Sequence, residues 1–390
     1  MTRLLERLLG RLPIGWLQLT HNRARLYSAI AGVSFANVLV IVQLGIAGSM
    51  TTATLQQYSY FDADIMISAE DANSMTEGGN VARQWLFQAL ADPEITGGVS
   101  LFVSNLVWER AQGQVLLQIF GVDPNAPGFL SPSMARKVTP LPLLNAAIID
   151  RKTRGLDAEM LAGIRPHSPE QFETSGQTIT LVDSFLGGGG FGTDGYLFVS
   201  DQTFLNLFAK RISGAPDHIL LQVTRGADVA AVVALLRDTI GDKSLRIRSY
   251  AKARSEDLAY QNTQRPTGLI FGFGVVIGIL VGIVIVYQVL STDVAAHLRE
   301  YATFKAIGYS HRFFLGIVLE EAMILAIFGF APGVIVASGL LSILHAKTGL
   351  PVAMTGETAV MVFVGTLAAC ALSGAIATRR LAAADPADLF

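Results

Sequence analysis

The sequence has little cysteine and little charge. Cys370 is the single cysteine in 390 residues, so no disulfide can form within the chain and no cysteine-based metal site can be built. Charged residues make up 15% of the chain and the formal net charge is -2. This near balance gives no indication of a nucleic-acid partner.

Motifs for nucleotide and metal chemistry are also missing. No glycine is followed by lysine and serine or threonine at phosphate-loop spacing, and the six histidines show no spacing such as His-Glu-x-x-His. The glycine run at 187–190 lacks the lysine, so we expect a flexible loop there. No nucleophile elbow is present, although a triad built from distant residues would leave no such motif. We predict a chain that is not an enzyme and holds no cofactor or metal.

Long apolar runs are abundant. The chain is 51% hydrophobic with a mean hydropathy of +0.46. Residues 267–290 carry no charged side chain, and this uncharged segment is long enough for a membrane-spanning helix. Gly274, Gly278 and Gly282 recur at every fourth position. They share one helix face, which favours close packing of another helix or a dimer contact. The alternative is the ordinary glycine content of membrane helices.

Hydropathy predicts four transmembrane helices, at residues 26–50, 266–290, 313–345 and 358–378, the third kinked near Pro332. Residues 51–265 are polar, and we expect a mixed α/β domain there, with stalks near 52–61 and 253–264. The predicted class is therefore an α+β membrane protein with a large domain between its first two spans. Alternation and capping signals predict strands at 64–68, 99–108, 115–122, 177–182, 196–199 and 218–224, and helices at 82–90, 201–210 and 228–240.

The N-terminal segment, residues 1–25, is predicted to begin with an amphipathic helix in the cytoplasmic headgroup region. Its leucines at positions 4, 5, 8, 9 and 12 fall within an arc of about 140°, opposite arginines, and Pro13 ends the pattern. The alternatives are a mitochondrial-type presequence or a solvated helix.

Basic residues outside the large domain predict the orientation. Five arginines precede the first span, three basic residues lie in loop 291–312, and two arginines open the tail 379–390. Only Lys347, in loop 346–357, falls on the other side. By the positive-inside rule both termini and loop 291–312 are cytoplasmic, and domain 51–265 is extracytoplasmic.

Two polar features stand out near the cytoplasmic side. Glu320 and Glu321 lie inside the third predicted span, where a carboxylate is expensive. They could relay protons, anchor a helix, or pair with basic residues of the loop. In loop 291–312 a helical period ends at Gly308, a natural helix terminator. A short amphipathic helix parallel to the membrane is predicted, with a simple connector as the alternative.

The same loop resembles a known family. Residues 299–310, Glu321-Ala322 in the next span and Pro386-Ala387-Asp388-Leu389 near the C-terminus resemble the signature of MacB/FtsX-type (type VII) ABC transporter permeases. Tyr309 and Asp388 depart from the usual residues. The DevC branch is the most similar, through motifs at 13–20, 43–45, 61–64, 120–124, 149–152 and 199–202.

The resemblance implies a permease that works as a homodimer in the bacterial inner membrane. A separate cytosolic ABC ATPase would bind ATP and Mg, and the large periplasmic domain would pass a lipid or glycolipid to a periplasmic adaptor and a TolC-like outer-membrane duct. An FtsX-like signalling subunit that controls a cell-wall hydrolase, or a membrane receptor, are the alternatives. The implied ATPase-contact residues are His297, Leu298, Arg299, Glu300, Tyr301, Phe304, Lys305 and Gly308.

Overall fold

The computed structural model describes residues 14–111, 113–297, 303 and 307–378, and these fall into two compact units. The helical unit comprises Met1–Gly48, Leu269–Leu344 and Val352–Phe390, and the sheet unit comprises Ser49–Gly268 and His345–Pro351. The predicted amphipathic helix before residue 14 and the tail 379–390 lie outside the described residues.

Helices occur in both units. In chain order they are α1 (Ile14–His21), α2 (Arg23–Tyr58), α3 (Gln84–Ala89), α4 (Pro132–Ala135), α5 (Ala158–Gly163), α6 (Asp201–Leu207), α7 (Val229–Ile240), α8 (Tyr250–Thr263), α9 (Pro266–Ala296), α10 (His311–Thr348) and α11 (Gly356–Ala377), with a 3₁₀ turn at Pro127–Phe129. In the described part of the chain, four of them, α2, α9, α10 and α11, are long and apolar enough to cross a membrane.

Several helix ends differ from the predicted limits of the apolar segments. α2 continues from residue 50 to Tyr58 and α9 continues from residue 290 to Ala296, because no glycine or proline interrupts either extension. α10 passes through Pro332 as one helix. Hydropathy therefore locates the apolar stretch, whereas the helix itself ends where the backbone hydrogen bonding ends.

Glycines bring α9 close to α2. A Cβ added at Gly278 would lie 2.9 Å from Val40 Cγ2, one at Gly282 would lie 3.1 Å from Ala36 Cβ, and one at Gly274 would meet the Gln43 side chain. The contacts run in opposite directions along the two helices, so the helices are antiparallel. The glycine row predicted from the sequence faces a helix of the same chain.

α10 packs on another side of α2 through its own small residues. Added Cβ atoms at Gly329 and Gly333 would lie 2.5 Å from Val33 Cγ1 and 2.9 Å from Asn37 Cβ. Ser34 Oγ also donates a hydrogen bond to the Gly329 carbonyl oxygen at 2.8 Å. These contacts run in the same direction along both helices, so α2 and α10 are parallel and α2 is held between two glycine-lined neighbours.

The sheet unit contains a mixed sheet. The described strands are β1 (Ile65–Ala69), β2 (Ile95–Arg110), β3 (Gly113–Val122), β4 (Ala146–Asp150), β5 (Glu170–Thr174), β6 (Gln177–Phe185), β7 (Gly195–Ser200), β8 (His218–Val223) and β9 (Leu245–Ser249). Their spatial order is β5-β6-β4-β7-β3-β2-β8-β1-β9. The β3–β7 and β4–β6 pairs are parallel and the other pairs are antiparallel.

β2 joins the two halves of this sheet. It pairs with β8 over residues 95–101 and with β3 over residues 102–110. β1, β4 and β7 are buried at every position, as expected of strands covered on both faces. Four apolar helices and a mixed α/β domain between the first two of them confirm this part of the predicted fold class. The N-terminal amphipathic helix and the extracytoplasmic placement of the domain stay predictions.

We predict that Gly278→Leu destabilises the helical unit. The added side chain would enter space held by Val40, and overpacking of this kind costs about 1–3 kcal/mol. The measurement is thermal unfolding of the detergent-solubilised full chain, in which the variant should unfold at a lower temperature.

Gly272→Leu is the matched control for that prediction. It makes the same change in the same helix, where an added Cβ meets nothing within 4 Å, so its unfolding temperature should stay at or above that of the wild type. Equal destabilisation by both substitutions would contradict close packing at Gly278.

Candidate coupling site

Glu320 and Glu321 lie where α10 passes the start of α1. Glu320 Oε1 accepts a hydrogen bond from the Trp16 backbone N–H at 3.3 Å, one of the N–H groups that lack a partner within their own helix. Glu321 is fully buried, and its Cγ would lie 2.9 Å from a Cβ added at Gly15. The Glu320 carboxylate therefore contacts α1 directly, and the Glu321 side chain packs against it. The anchoring role of the two residues stays a prediction.

Aromatic and apolar contacts also pack α1 against α10. The Trp16 and Phe328 rings have centroids 5.8 Å apart, and Leu19 is buried in the same cluster as Ile317 and Val318 of α10. α1 is thus fixed to α10 by a backbone-to-carboxylate hydrogen bond at its start and by apolar packing along its length.

Most residues implied to contact the ATPase lie outside the described residues. His297 follows the end of α9, and Gly308 is described, whereas Leu298, Arg299, Glu300, Tyr301, Phe304 and Lys305 are not. Ile307 N–H donates to the Thr303 carbonyl oxygen at 3.1 Å. Gly308 has φ of +105° and open space around an added Cβ. The backbone conformation, and not crowding, is what requires glycine there.

The sheet unit contains a buried hydrogen-bond cluster at the end of α2, which we call the stalk clamp: Tyr58, Met75, Tyr250 and Asp257. Asp257 Oδ2 accepts from the Tyr58 hydroxyl at 3.1 Å and from the Met75 backbone N–H at 3.0 Å. The Tyr250 hydroxyl donates to the Tyr58 carbonyl oxygen at 2.9 Å. The last residue of α2 is therefore tied to α8, so the two predicted stalk segments are joined.

The buried carboxyl of the stalk clamp was missed by sequence reasoning, although a signal was present. Tyr250, Ala253 and Asp257 recur at helical spacing and form the buried face of α8, so the aspartate shares its face with two apolar residues. Burial raises the pKa of the Asp257 carboxyl, opposed by hydrogen bonds from Met75, Gln261 and Tyr58. Such a group is costly to ionise.

The glycine run at 187–190 is closely packed, so the expectation of a flexible loop is wrong. Gly187 N–H donates to Asp150 Oδ1 at 2.9 Å, and Arg154 donates to the Gly190 carbonyl oxygen at 2.8 Å. A Cβ added at Gly190 would lie 2.8 Å from Ala53 Cβ. Glycine is needed here because the loop runs against its neighbours. Across the described residues, no group of three His, Cys, Asp or Glu side chains is placed to hold a metal ion.

We predict that Asp257→Asn removes part of the pH dependence of stability. Because the pKa of Asp257 is raised on folding, the folded chain binds this proton more tightly than the unfolded chain, whose aspartate pKa is about 3.9. The free energy of unfolding of the wild type should therefore fall as pH rises from about 4 through the raised pKa, then level off.

Thermal unfolding of the full chain in detergent between pH 4 and pH 8 measures this effect. Burial also raises the pKa of Asp150, but that residue is present in both proteins, so the difference between them isolates Asp257. Identical pH slopes in wild type and variant would contradict the prediction.

Comparison with known proteins gives one family match. Residues 272–386 match the FtsX-like permease C-terminal family, a segment that includes loop 291–312 and helices α10 and α11. No curated protein matches the chain.

The chain is similar at low identity to a number of solved structures, among them the following three. The periplasmic region of MacB from Actinobacillus actinomycetemcomitans has 12% identity and a TM-score of 0.34, covering 53% of this chain and 96% of its own. The extracellular domain of the noncanonic ABC-type transporter YknZ from Gram-positive bacteria has 11% identity and a TM-score of 0.31, covering 48% and 98%. A domain of a permease protein from Porphyromonas gingivalis has 8% identity and a TM-score of 0.28, covering 49% and 88%. TM-scores this low do not define a shared fold.

The family that the sequence match indicates for residues 272–386 is that of the FtsX-like permeases, in agreement with the MacB/FtsX resemblance.

Proposed function

We propose that this chain is the permease subunit of an ATP-driven exporter of the MacB/FtsX type. The observation that carries the proposal is the FtsX-like permease match over residues 272–386, the segment that contains the loop implied to contact an ATPase. A separate cytosolic ABC ATPase would supply ATP hydrolysis, because this sequence contains no phosphate-binding loop of that kind.

The arrangement of helices supports a mechanical role. α2 is a single 36-residue helix that ends in the stalk clamp, and its glycine-lined contacts with α9 and α10 are close. A displacement of loop 291–312 would move the end of α9 and the start of α10, and tight packing would transmit that movement to α2. The stalk clamp would then couple the motion of α2 to α8 in the sheet unit.

The proposal also includes the oligomeric state, the membrane, the orientation and the partners of the chain. The chain would work as a homodimer of the DevC branch in the bacterial inner membrane, with both termini cytoplasmic and the sheet unit periplasmic. A periplasmic adaptor and a TolC-like duct would receive a lipid or glycolipid. An FtsX-like signalling subunit would also bind an ATPase, but its complex would export nothing and would instead activate a cell-wall hydrolase.

We predict that the full chain co-purifies with an ATP-hydrolysing protein and that Gly308→Val uncouples hydrolysis from export. At φ of +105° a side chain with a Cβ is disfavoured by about 1–2 kcal/mol, and a β-branched residue fits least well. Partner identification by mass spectrometry, ATP hydrolysis and lipid release from the reconstituted complex are the measurements.

Gly241→Val is the control for that substitution. Gly241 also has a positive φ, +62°, but it caps α7 in the sheet unit, so the substitution strains the backbone away from the loop. It should lower stability while export per hydrolysed ATP remains unchanged. The proposal fails if no hydrolysing partner is found, and the role of Gly308 fails if Gly308→Val exports normally.

We predict that a cysteine at position 192 is labelled from outside the cell. Gly192 is exposed and an added Cβ meets nothing within 4 Å, so Gly192→Cys in a Cys370→Ala background should fold normally. A membrane-impermeant maleimide should label it in intact spheroplasts. Labelling only after the membrane is opened would place the sheet unit in the cytoplasm and overturn the orientation.

A further inference from the structure

A polar cavity of about 280 Å³ lies inside the sheet unit, at the end of α2. Its wall combines the last turns of α2, residues 190–193, and the end of α8 with the residues that follow it, together with single residues of β2, β3 and the loop after β1. The side chains that line it are mainly amides and hydroxyls, among them Gln57, Gln118, Gln261, Asn105, Thr54 and Thr76. A volume of this size is at the small end of ligand pockets, which suits one sugar ring and excludes an oligosaccharide.

Gln118 supplies an independent sign of a ligand. Its side chain lines the cavity from β3, the residue is 2% exposed, and Nε2 has no hydrogen-bond partner among the described residues. A buried amide donor without a partner costs about 1–3 kcal/mol, and buried polar groups are otherwise almost always paired. An acceptor oxygen of a bound molecule would remove this cost.

The charge of the wall excludes an anionic ligand. Within the part of the chain that the structure describes, Arg265 is the single cationic side chain of the lining and no carboxylate lines it. Its guanidinium is already paired with Glu77 and lies 6.0 Å from the Tyr260 ring centre. The one cationic group of the wall is therefore paired, whereas the amide donor of Gln118 is not. This combination matches a neutral molecule rich in hydroxyl groups.

An aromatic ring at the rim adds to this match. Phe191 lies in the lining and is 40% exposed. Sugar rings carry apolar C–H faces between their hydroxyl edges, so one aromatic face beside several amides offers both kinds of contact that a hexose requires. A phosphate group would gain nothing from contact with the aromatic ring, and the one cationic side chain of the lining, Arg265, is already paired.

We propose that this cavity binds the neutral sugar headgroup of a glycolipid. As the headgroup site of an exported lipid it rests on the proposed function, whereas the binding itself requires only this chain. Gln118 would donate to a sugar hydroxyl, with the amides of Gln57 and Gln261 and the ring of Phe191 around it.

The test uses the full chain in phosphatidylglycerol nanodiscs that contain a monohexosyl diacylglycerol with a photoreactive diazirine on the sugar. After irradiation, mass spectrometry should find adducts on peptides that contain the lining residues, at 50–57, 76, 105, 118, 190–193 and 261–267. Excess unlabelled monohexosyl lipid should compete, and additional phosphatidylglycerol should not. Adducts spread over other peptides, or equal competition by phosphatidylglycerol, would overturn the proposal.

Gln118→Leu should lower the yield of adducts about fivefold, which corresponds to one hydrogen bond. Because an apolar side chain of similar shape replaces an unpaired donor, its unfolding temperature should stay equal or rise. Gln114→Leu is the matched control, since Gln114 is exposed on the same strand and outside the cavity. Its yield should equal that of the wild type.

Gly192→Phe is a second variant that does not depend on Gln118. Gly192 is a lining residue at which an added Cβ meets nothing within 4 Å, so the chain should remain folded while the bulky ring at the wall lowers the yield of adducts. Unchanged labelling in both cavity variants would refute the site. The assay contains no ATPase and no ATP, so its failure leaves the permease proposal standing, and an inactive complex leaves the sugar site standing.

Discussion

The close approach of helix backbones around α2 is the constraint on which the helical unit depends. In a membrane no water drives apolar helices together, so their association relies on van der Waals contact and on a few hydrogen bonds. Glycines of α9 and α10 provide that contact on two sides of α2, and Thr366 of α11 donates to Asn37 Oδ1 at 2.6 Å. Because α2 touches all three partners, a movement of one helix changes the packing of the others.

The sequence was sufficient for features set by local composition. The length of the uncharged apolar segments indicated four helices. The four-residue spacing placed Gly274, Gly278 and Gly282 on one helix face, but it could not show which helix lies opposite that face. Strands β4, β5 and β9 were not predicted, since their pairing depends on partners distant in sequence. The glycine run was misread for the same reason: its packing against Ala53 and Asp150 is a tertiary property.

Three buried polar residues lie at positions where burial would lead one to expect an apolar side chain. Asp257 stands on an apolar helix face, Gln118 stands at a buried strand position, and Glu321 stands inside an apolar helix. Two of them join segments, Asp257 at the end of α2 and Glu321 against α1, whereas the free donor of Gln118 faces a cavity.

The 16-residue strand β2 has its own consequence for the sheet unit. Because β2 pairs with β8 through its first half and with β3 through its second half, the two halves of the sheet are joined by the covalent backbone of one strand and not by a shared ladder of hydrogen bonds. One half can therefore bend or open at the junction near residues 101 and 102 while the other keeps its pairing. The long strand acts as a hinge between two separately paired halves.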